Sequence, residues 1–478
     1  MKRTFIILLL LAQLGCGALA EPYIVQYPDG VHSHNTHALL LSADGQALCD
    51  PGAYAEIRRL TPLGLGEDRC LYAATRSEYP LGTEYGSDLL YNSVLLMDSA
   101  GRPVTDYAFS DLRYDADTDR LIFRRHEDGK RRSGVMTRDG RVLGHWPLET
   151  LVPNGEGGYI GLSENNRLAW IDVELAYHDT GRTAWGLDTE GFCDGRMVLY
   201  SEGPDIYIDP RGQRAFDADY AGLCPFHGGW AAVKPEGVDG PLAFVDASGS
   251  LLPMRYDSIL WSSQDCGYVC ADSTGVDFYH ADDGMRVARI PVDTENSWRV
   301  DYIHSYDGDI AVDATITEMP RWKGVVAIAV ENEGLYCYDT EGAALFTLTD
   351  IPERDYYYRY FDEWDGTPTA YVLGATQDAS WLIDERGRPL TEAFADLTAP
   401  LWRDGHGLFR YAVYRDDEWN EWYGVVDEQG RDVLGTLYDS LEVLDLDRFW
   451  VHRNDRWGLI DEKGRWLYEV SDYTNLLD

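Results

Sequence analysis

Short apolar runs recur along the whole chain, and each ends in the same polar signal. A run of β-branched, aliphatic or aromatic residues stops at an Asp, two residues follow, and then comes a Gly. Short runs of this kind between turn residues predict β-strands. The strict copies are Asp98 with Gly101, Asp209 with Gly212, Asp246 with Gly249, Asp339 with Gly342, Asp384 with Gly387, Asp427 with Gly430 and Asp461 with Gly464. Looser copies lie at Gly45, Gly140, Gly181 and Gly284.

The spacing of Asp and Gly predicts a hairpin turn, in which the carboxylate accepts backbone N–H groups and Gly supplies a positive φ. Eleven copies from Gly45 to Gly464 give a period of about 42 residues, which is typical of all-β repeats. Units of this size bury an apolar face only by stacking on neighbours. We therefore predict an all-β repeat array of antiparallel hairpin and meander units. A β-propeller is the expected form, and an open β-repeat superhelix is the alternative.

The segments around the turns also agree between copies. A Tyr-Asp pair follows the Gly at Tyr256-Asp257 and Tyr438-Asp439. An aromatic-Gly pair precedes the Asp at Trp185-Gly186, Tyr423-Gly424 and Trp457-Gly458. In these features the chain resembles the WG-repeat family of bacterial proteins, closely over 422–468 and 243–260 and partially over 97–112 and 381–397. The resemblance implies an exported or surface-exposed repeat protein with no established chemistry.

The first twenty residues have the pattern of an export signal. Lys2 and Arg3 precede an apolar run, and Ala18-Leu19-Ala20 supplies the small residues of a cleavage site. Cleavage after Ala20 is the preferred interpretation, and lipidation at Cys16 is the alternative. We predict a signal peptide over 1–20 and one β-repeat domain over 21–478. The mature protein is expected to be secreted or at the cell surface, with no transmembrane segment.

Charge and motifs exclude several function classes. The chain has 82 Asp and Glu against 41 Lys and Arg, a formal net charge of −41. Such a surface repels nucleic acid. The Gly-x-Ser-x-Gly, His-Glu-x-x-His and Gly-x-x-x-x-Gly-Lys motifs are absent from the sequence, so the commonest nucleophile, metalloprotease and nucleotide signatures are missing. We expect a protein without catalytic residues, cofactor or nucleic-acid partner.

Seven of the eight cysteines follow the predicted signal peptide, and an odd number cannot pair completely within one chain. Cys266 and Cys270 are too far apart in an extended segment to bridge without a turn. The favoured interpretation is that most are small buried side chains. The seven are Cys49, Cys70, Cys193, Cys224, Cys266, Cys270 and Cys337.

Two clusters have residue types that bind metals, although neither carries a metal prediction. His32, His34 and His37 could present imidazoles to zinc, but an exposed polar strand explains them as well. Asp115, Asp117 and Asp119 could present oxygens to calcium. Arg120 stands where a calcium loop needs Gly, so a hairpin loop between Leu112 and Leu121 is the preferred interpretation.

A third cluster combines carboxylates with aromatic residues, which could act on a polysaccharide. In a repeat protein such clusters usually form hairpin tips and packing surfaces. Its acids are Asp362, Glu363, Asp365, Asp416, Asp417 and Glu418, and its aromatics are Tyr357, Tyr358, Trp364, Trp419 and Trp422.

The functional prediction is a noncatalytic binding module at the cell envelope, with an unidentified protein or glycan as partner. The alternatives are a hydrolase acting on extracellular polysaccharide and a purely structural surface protein. The repeated Asp residues are predicted to form turns, and Trp457 to pack in the core beside Gly458.

Overall fold

The computed structural model describes most of the chain between residues 22 and 470. The described residues are 22–28, 36–62, 69–77, 91–188, 191–201, 203–237, 239–263, 267–272, 275–279, 286–291, 316–317, 325–330, 334–339, 343–348, 357–359, 361–364, 369–376, 379–384, 386–403, 405–414 and 421–470. Every named element in these ranges is a β-strand, β1 to β38. No helix among them is long and apolar enough to cross a bilayer. The predicted signal peptide, with Cys16, lies outside the described residues.

The chain folds into two compact units, residues 1–181 with 467–478 and residues 182–466. The first unit begins with a sheet ordered β1-β2-β3-β4-β5, with strands Tyr23–Pro28, Thr36–Leu41, Tyr54–Arg59, Leu71–Arg76 and Val94–Asp98. The second sheet runs β6 to β9, Asp111–Asp115, Arg120–Glu127, Lys130–Met136 and Val142–Trp146. The third runs β10 to β13, Thr150–Pro153, Tyr159–Leu162, Arg167–Ile171 and Tyr177–Thr183.

Seven further sheets follow along the chain. The fourth contains β14 to β16, Gly186–Leu187, Met197–Tyr200 and Ile206–Ile208, and the fifth contains β17 and β18, Trp230–Val233 and Ala243–Asp246. The sixth runs β19 to β22, Ser258–Ser263, Gly267–Asp272, Gly275–Tyr279 and Arg286–Pro291. The seventh runs β23 to β26, Ile316–Thr317, Val325–Val330, Gly334–Asp339 and Ala344–Leu348.

The last three sheets contain one parallel pair. The eighth is ordered β27-β29-β30, Tyr357–Arg359, Ala370–Thr376 and Ala379–Asp384. The ninth is ordered β28-β31-β32-β33-β34, Phe361–Trp364, Asp396–Arg403, His406–Tyr414, Glu421–Asp427 and Asp432–Tyr438, and β28 pairs with β31 in parallel. The tenth runs β35 to β38, Ser440–Asp445, Arg448–Arg453, Arg456–Asp461 and Trp466–Glu469.

The core lies between the faces of successive sheets. In β7, Phe123 packs with Leu96 of the first sheet, while its neighbour Ile122 packs with Tyr159 of the third. Because alternate residues of a strand point to opposite faces, both faces of the second sheet are apolar and covered. The fifth and sixth sheets pack similarly through Phe244 and Tyr268. This stacking of antiparallel meanders is how propeller blades pack, and it confirms the predicted fold class.

Candidate functional site

A cleft of about 470 Å3 opens at the hairpin ends of the second and third sheets. Six residues line it, and all of them belong to the first unit: Tyr91, His126, Gly129, Arg131, Glu149 and Glu164. Tyr91 precedes β5, and Glu149 precedes β10. His126 lies in β7, Gly129 in the turn after it and Arg131 in β8, and Glu164 follows β11. Three successive sheets therefore contribute to this cleft.

An aromatic pair forms one wall. The rings of Tyr91 and His126 stack with centroids 4.3 Å apart and an interplanar angle of 17°. Asn92, the next residue, joins this segment to the backbone of β7, because its Nδ2 donates to the His126 carbonyl at 2.7 Å and its Oδ1 accepts the His126 N–H at 2.8 Å. Tyr91 is nevertheless 42% exposed. An exposed ring that stacks on a neighbouring ring can offer its flat face to a ligand.

Charged groups form a second wall of the cleft. Arg131 makes an ion pair with Glu149, and its backbone N–H donates to Glu164 Oε1 at 2.9 Å. The two carboxylates therefore approach Arg131 from its side chain and from its backbone. Carboxylate oxygens accept hydrogen bonds from hydroxyl groups, and guanidinium groups donate them. Together with the Tyr91 ring, the wall suits a ligand that has both hydroxyl groups and an apolar face.

The repeated Asp residues form turns with one geometry. In all six turns whose side chains are described, Asp Oδ1 accepts the N–H groups two and four residues later at 2.8–3.0 Å. The Gly N–H donates to the Asp carbonyl, and the Gly φ lies between 70° and 85°. These turns begin at Asp98, Asp209, Asp246, Asp384, Asp427 and Asp461. The Asp339 side chain and Gly342 lie outside the described residues.

Further copies of the turn lack the expected residues. Ser42 and Thr137 use a hydroxyl in place of the carboxylate, before Gly45 and Gly140. The turn that begins at Asp172 has Leu175 at the left-handed position, with φ 68°. In a turn at Asn154, Oδ1 accepts the N–H groups of Glu156 and Gly158, and in a turn at Ser163, Oγ accepts the N–H of Arg167. The turns at Asp172, Asn154 and Ser163 were not predicted. Finding them from the sequence requires that Asn and Ser also count as acceptors, and that the left-handed position also accepts residues other than Gly.

Two of the looser copies have other outcomes. The prediction that Gly181 ends such a turn is wrong: Gly181 lies inside β13, because the preceding turn forms earlier, at Asp172. Gly284 lies outside the described residues.

The aromatic-Gly pairs lie nearer the surface than predicted. Trp457 is half-buried and stacks on His452 across β36 and β37, with ring centroids 4.8 Å apart. Its prediction as a core residue is wrong, because Trp457 stands near the β36–β37 hairpin turn. Trp185 is 53% exposed and stacks on Tyr200, and Tyr423 lies 5.4 Å from the Arg410 guanidinium.

The glycines of these pairs differ in how closely other atoms surround them. A Cβ added to Gly424 would lie 2.5 Å from Tyr411 Cζ, and one added to Gly186 would lie 3.4 Å from Tyr200 Cδ2. Gly458 is buried between the half-buried Trp457 and the buried Leu459.

The Asp115 cluster is a hairpin loop between β6 and β7, as preferred from the sequence. Asp115 is 3% exposed and accepts hydrogen bonds from Tyr159 Oη at 3.0 Å, from Thr118 and from the Asp117 N–H. Asp119 accepts from Tyr114 Oη at 2.6 Å and from Arg138 Nη1 at 3.1 Å. Donors of the protein itself therefore occupy two of the three carboxylates. Across the described ranges, no group of three His, Cys, Asp or Glu residues could hold a metal ion.

The other predicted clusters are only partly described. His37 lies in β2, half-buried, with its ring 5.6 Å from Tyr27, whereas His32 and His34 lie outside the described residues. The backbone places Tyr357 and Tyr358 in β27, Asp362, Glu363 and Trp364 in β28, and Trp422 in β33. Residues Asp365, Asp416, Asp417, Glu418 and Trp419 lie outside the described residues.

Five cysteines are described, and none of them forms a disulfide. Cys70 and Cys270 are buried as expected, Cys49 and Cys193 are half-buried, and Cys224 is exposed. Cys266 and the side chain of Cys337 lie outside the described residues.

Sequence reasoning missed all six cleft residues. The signal that could have found them is a run of charge, because six Lys and Arg residues occur within 120–132 of a strongly acidic chain. Charge that departs locally from the overall balance often marks an interaction surface. The contribution of Tyr91 and Glu164 depends on how three sheets meet, which no local pattern encodes.

Comparison with known proteins identifies no relative. No family model matches the chain, and no curated protein matches it. The chain is similar to a solved structure of the eukaryotic initiation factor, at 11% identity and TM-score 0.37 over 70% of this chain and 89% of that one. It is also similar to BamB from Moraxella catarrhalis, at 9% identity and TM-score 0.28 over 72% and 93%. A third similar structure is that of the computationally designed Ika8 protein, at 11% identity and TM-score 0.27 over 74% of this chain and 96% of that one. At these TM-scores the similarities carry no argument about function.

Proposed function

We propose that this protein is an exported binding module of the cell envelope that contacts a glycan and has no catalytic activity of its own. The observation that carries the proposal is the cleft, which is lined by the exposed ring of Tyr91, stacked on His126, and by Arg131 with its two carboxylate partners. A sugar offers an apolar face for stacking and hydroxyl groups for hydrogen bonds. The predicted signal peptide and the resemblance to WG-repeat proteins support a place outside the cytoplasm.

The hydrolase remains the second candidate, because Glu149 and Glu164 both line the cleft and glycoside hydrolysis uses two carboxylates. Binding is the better-supported function, because both carboxylates already contact Arg131. A glycan panel separates the two candidates. Saturable binding without release of sugar supports the binding module, whereas sugar release that Glu149→Gln and Glu164→Gln both abolish supports the hydrolase.

The cleft itself is tested by Tyr91→Ala. We expect its affinity for the best glycan of the panel to fall about tenfold, since an aromatic contact contributes on the order of 1 kcal/mol beyond its buried area. Tyr177→Ala is the matched control, because Tyr177 is 40% exposed and does not line the cleft. Equal losses in both variants would contradict the assignment of the cleft. Binding to an envelope protein in place of any glycan would contradict the ligand class, and no saturable partner at all would favour the purely structural alternative.

A further inference from the structure

Three guanidinium groups share one carboxylate where the first and second sheets meet. Arg58 Nη2 lies 3.1 Å from Asp111 Oδ1, Arg113 Nε lies 3.1 Å from Oδ2, and Arg124 Nη2 lies 3.7 Å from Oδ2. Arg58 belongs to β3, Asp111 and Arg113 to β6, and Arg124 to β7. One carboxylate neutralises one of the three cations, so the cluster has a local surplus of positive charge.

This surplus is unusual in a chain with a net charge of −41. Both oxygens of Asp111 are already shared among the three arginines, and Arg58 Nη2 also donates to the Leu112 carbonyl at 2.7 Å. Like charges at such short range repel one another. Burial lowers the pKa of the Arg124 guanidinium, Asp111 opposes that shift, and the charges of Arg113 and Arg131 add to it. An added anion would relieve this repulsion.

The cluster is accessible to a ligand and lies close to the cleft. The side chains of Arg58 and Arg113 are 46% and 55% exposed, and that of Arg124 is 31% exposed. Arg124 lies two residues before His126 on the same face of β7, and His126 pairs with Arg131 of β8. Both His126 and Arg131 line the cleft. Guanidinium groups are planar donors whose geometry matches carboxylate and phosphate oxygens. The cluster therefore fits one anionic group of a ligand that also reaches the cleft.

We infer that Arg58, Arg113 and Arg124 form an anion site that holds a carboxylate or phosphate group of an acidic glycan. The inference rests on the proposed function and narrows its ligand from glycans in general to acidic ones. The net negative charge of the chain disfavours polyanions elsewhere on its surface. The arginine cluster therefore selects both the class of ligand and its orientation relative to the cleft.

Calorimetry with the intact protein tests the site. The probes are oligogalacturonate, a neutral oligogalactose of the same length, an oligomer of glycerol phosphate and inorganic phosphate. We expect an acidic oligomer to bind about tenfold more tightly than oligogalactose, since hydrogen bonds to charged groups are stronger than neutral ones. Its affinity should fall as salt rises. The tighter of the two acidic oligomers identifies carboxylate or phosphate as the source, and inorganic phosphate should compete with it.

Arg113→Gln should weaken binding of the acidic oligomer about tenfold and leave binding of oligogalactose unchanged. Arg167→Gln is the matched control, because the Arg167 side chain is 50% exposed, pairs with one carboxylate, Asp179, and does not line the cleft. Arg113→Lys should restore part of the affinity, since it keeps the charge without the planar donors. Equal melting temperatures of the three variants would show that folding is not the cause.

Each contrary result overturns a different statement. Equal binding of neutral and acidic oligomers, unaffected by Arg113→Gln, would overturn the anion site and leave the glycan-binding function standing. Polyglutamate that binds as tightly as the acidic oligomers, with the same loss in Arg113→Gln, would replace the glycan by an acidic polypeptide. Absence of binding to every saccharide would overturn the proposed function together with the site.

Discussion

At the scale of single residues, each repeat turn depends on one carboxylate. Asp427 Oδ1 accepts the N–H groups of Gln429 and Arg431, both at 2.9 Å, and Oδ2 accepts Arg431 Nε at 2.7 Å. A tight turn leaves backbone N–H groups without strand partners, and a short acidic side chain satisfies them locally. The Arg contact recurs at Arg102, Arg388 and Arg465. In four copies, the sequence motif that stabilises the turn is therefore Asp-x-x-Gly-Arg.

Asp427→Ala should lower the free energy of unfolding by about 0.5–2 kcal/mol, by analogy with the loss of a side-chain cap. The physical reason is that two backbone N–H groups lose their acceptor. Chemical denaturation measures the change. Asp439→Ala is the control, because Asp439 is exposed and does not begin a repeat turn. An effect no larger than that of the control would contradict the turn-forming role.

Asp461 should contribute to acid sensitivity. Burial alone would raise the pKa of its carboxyl, but hydrogen bonds from the Arg465 side chain and from the Arg465 and Lys463 N–H groups outweigh burial and lower the pKa from 3.8 to about 2. A depressed pKa in the folded state adds stability above pH 3.8, and this stability is lost as pH falls towards about 2. Asp461→Asn should therefore flatten the pH dependence of unfolding in that window. Identical pH profiles for Asp461→Asn and the unsubstituted chain would contradict the prediction.

At the scale of strands and sheets, close packing explains the Gly of the aromatic-Gly pair. Gly424 in β33 lies beneath the ring of Tyr411 in β32, and the two residues pair across the strands. The aromatic residue before the Gly stacks on a side chain of the neighbouring strand, as Trp457 does on His452. The Gly of the pair thus lets an aromatic ring of the neighbouring strand pack on its backbone, and the aromatic residue of the pair lies at the sheet surface.

Gly424→Ala should destabilise the protein by about 1–3 kcal/mol, as expected when an extra methyl group is forced into a packed core. The added Cβ would lie 2.6 Å from Tyr411 Oη and 2.8 Å from the Leu434 carbonyl oxygen. Gly435→Ala, in β34, is the matched control, because its Cβ would meet Asp432 Oδ2 at 3.6 Å. Thermal denaturation compares the two variants, and equal melting temperatures would argue against close packing at Gly424.

At the scale of the whole chain, turn glycines contact the segments that follow other turns. A Cβ on Gly140 would lie 2.7 Å from Thr105 Cγ2, and one on Gly430 would lie 2.6 Å from the Leu390 carbonyl oxygen. Only Gly fits beneath these neighbours. The turn Gly therefore has two roles: it adopts the positive φ of the turn, and it allows close contact with a neighbouring repeat. The same contact pairs Gly101 with Leu48, Gly249 with Phe216 and Gly45 with Leu467.

Deletion of residues 467–478 should loosen the start of the first unit. Leu467 packs against Gly45, and burial, with a smaller effect from nearby Cys49, raises the pKa of Tyr468. Hydrogen exchange should rise in residues 36–50, which lose this cover. Deletion of 471–478 is the control, since it keeps Leu467 and Tyr468. If backbone amides of residues 36–50 remain equally protected from hydrogen exchange when 467–478 are deleted, the contact of Leu467 with Gly45 does not stabilise the first unit.

Much of the fold was predictable because it is local. Asp384 and Gly387 stand three residues apart after an apolar run, so the carboxylate reaches the backbone whatever the rest of the chain does. The aromatic residues were harder to place, because Trp457 can either enter the core or cover the sheet surface from the same strand position. The cleft residues could not be predicted, since Tyr91 and Glu164 are distant in sequence and meet through the packing of three sheets. The choice between a closed propeller and an open superhelix stays a prediction.

The sequence by itself determined the β-strands, their hairpin turns and the stacking of repeated units, because strand pattern and turn chemistry act between near neighbours. The tertiary structure alone decided which side chains meet in the cleft and in the arginine cluster. It placed Arg58 of the first sheet beside Arg113 and Arg124 of the second, and it stacked Tyr91 on His126. The physical reason is that a binding site needs groups from several sheets within a few ångströms, and only the packed core brings those sheets together.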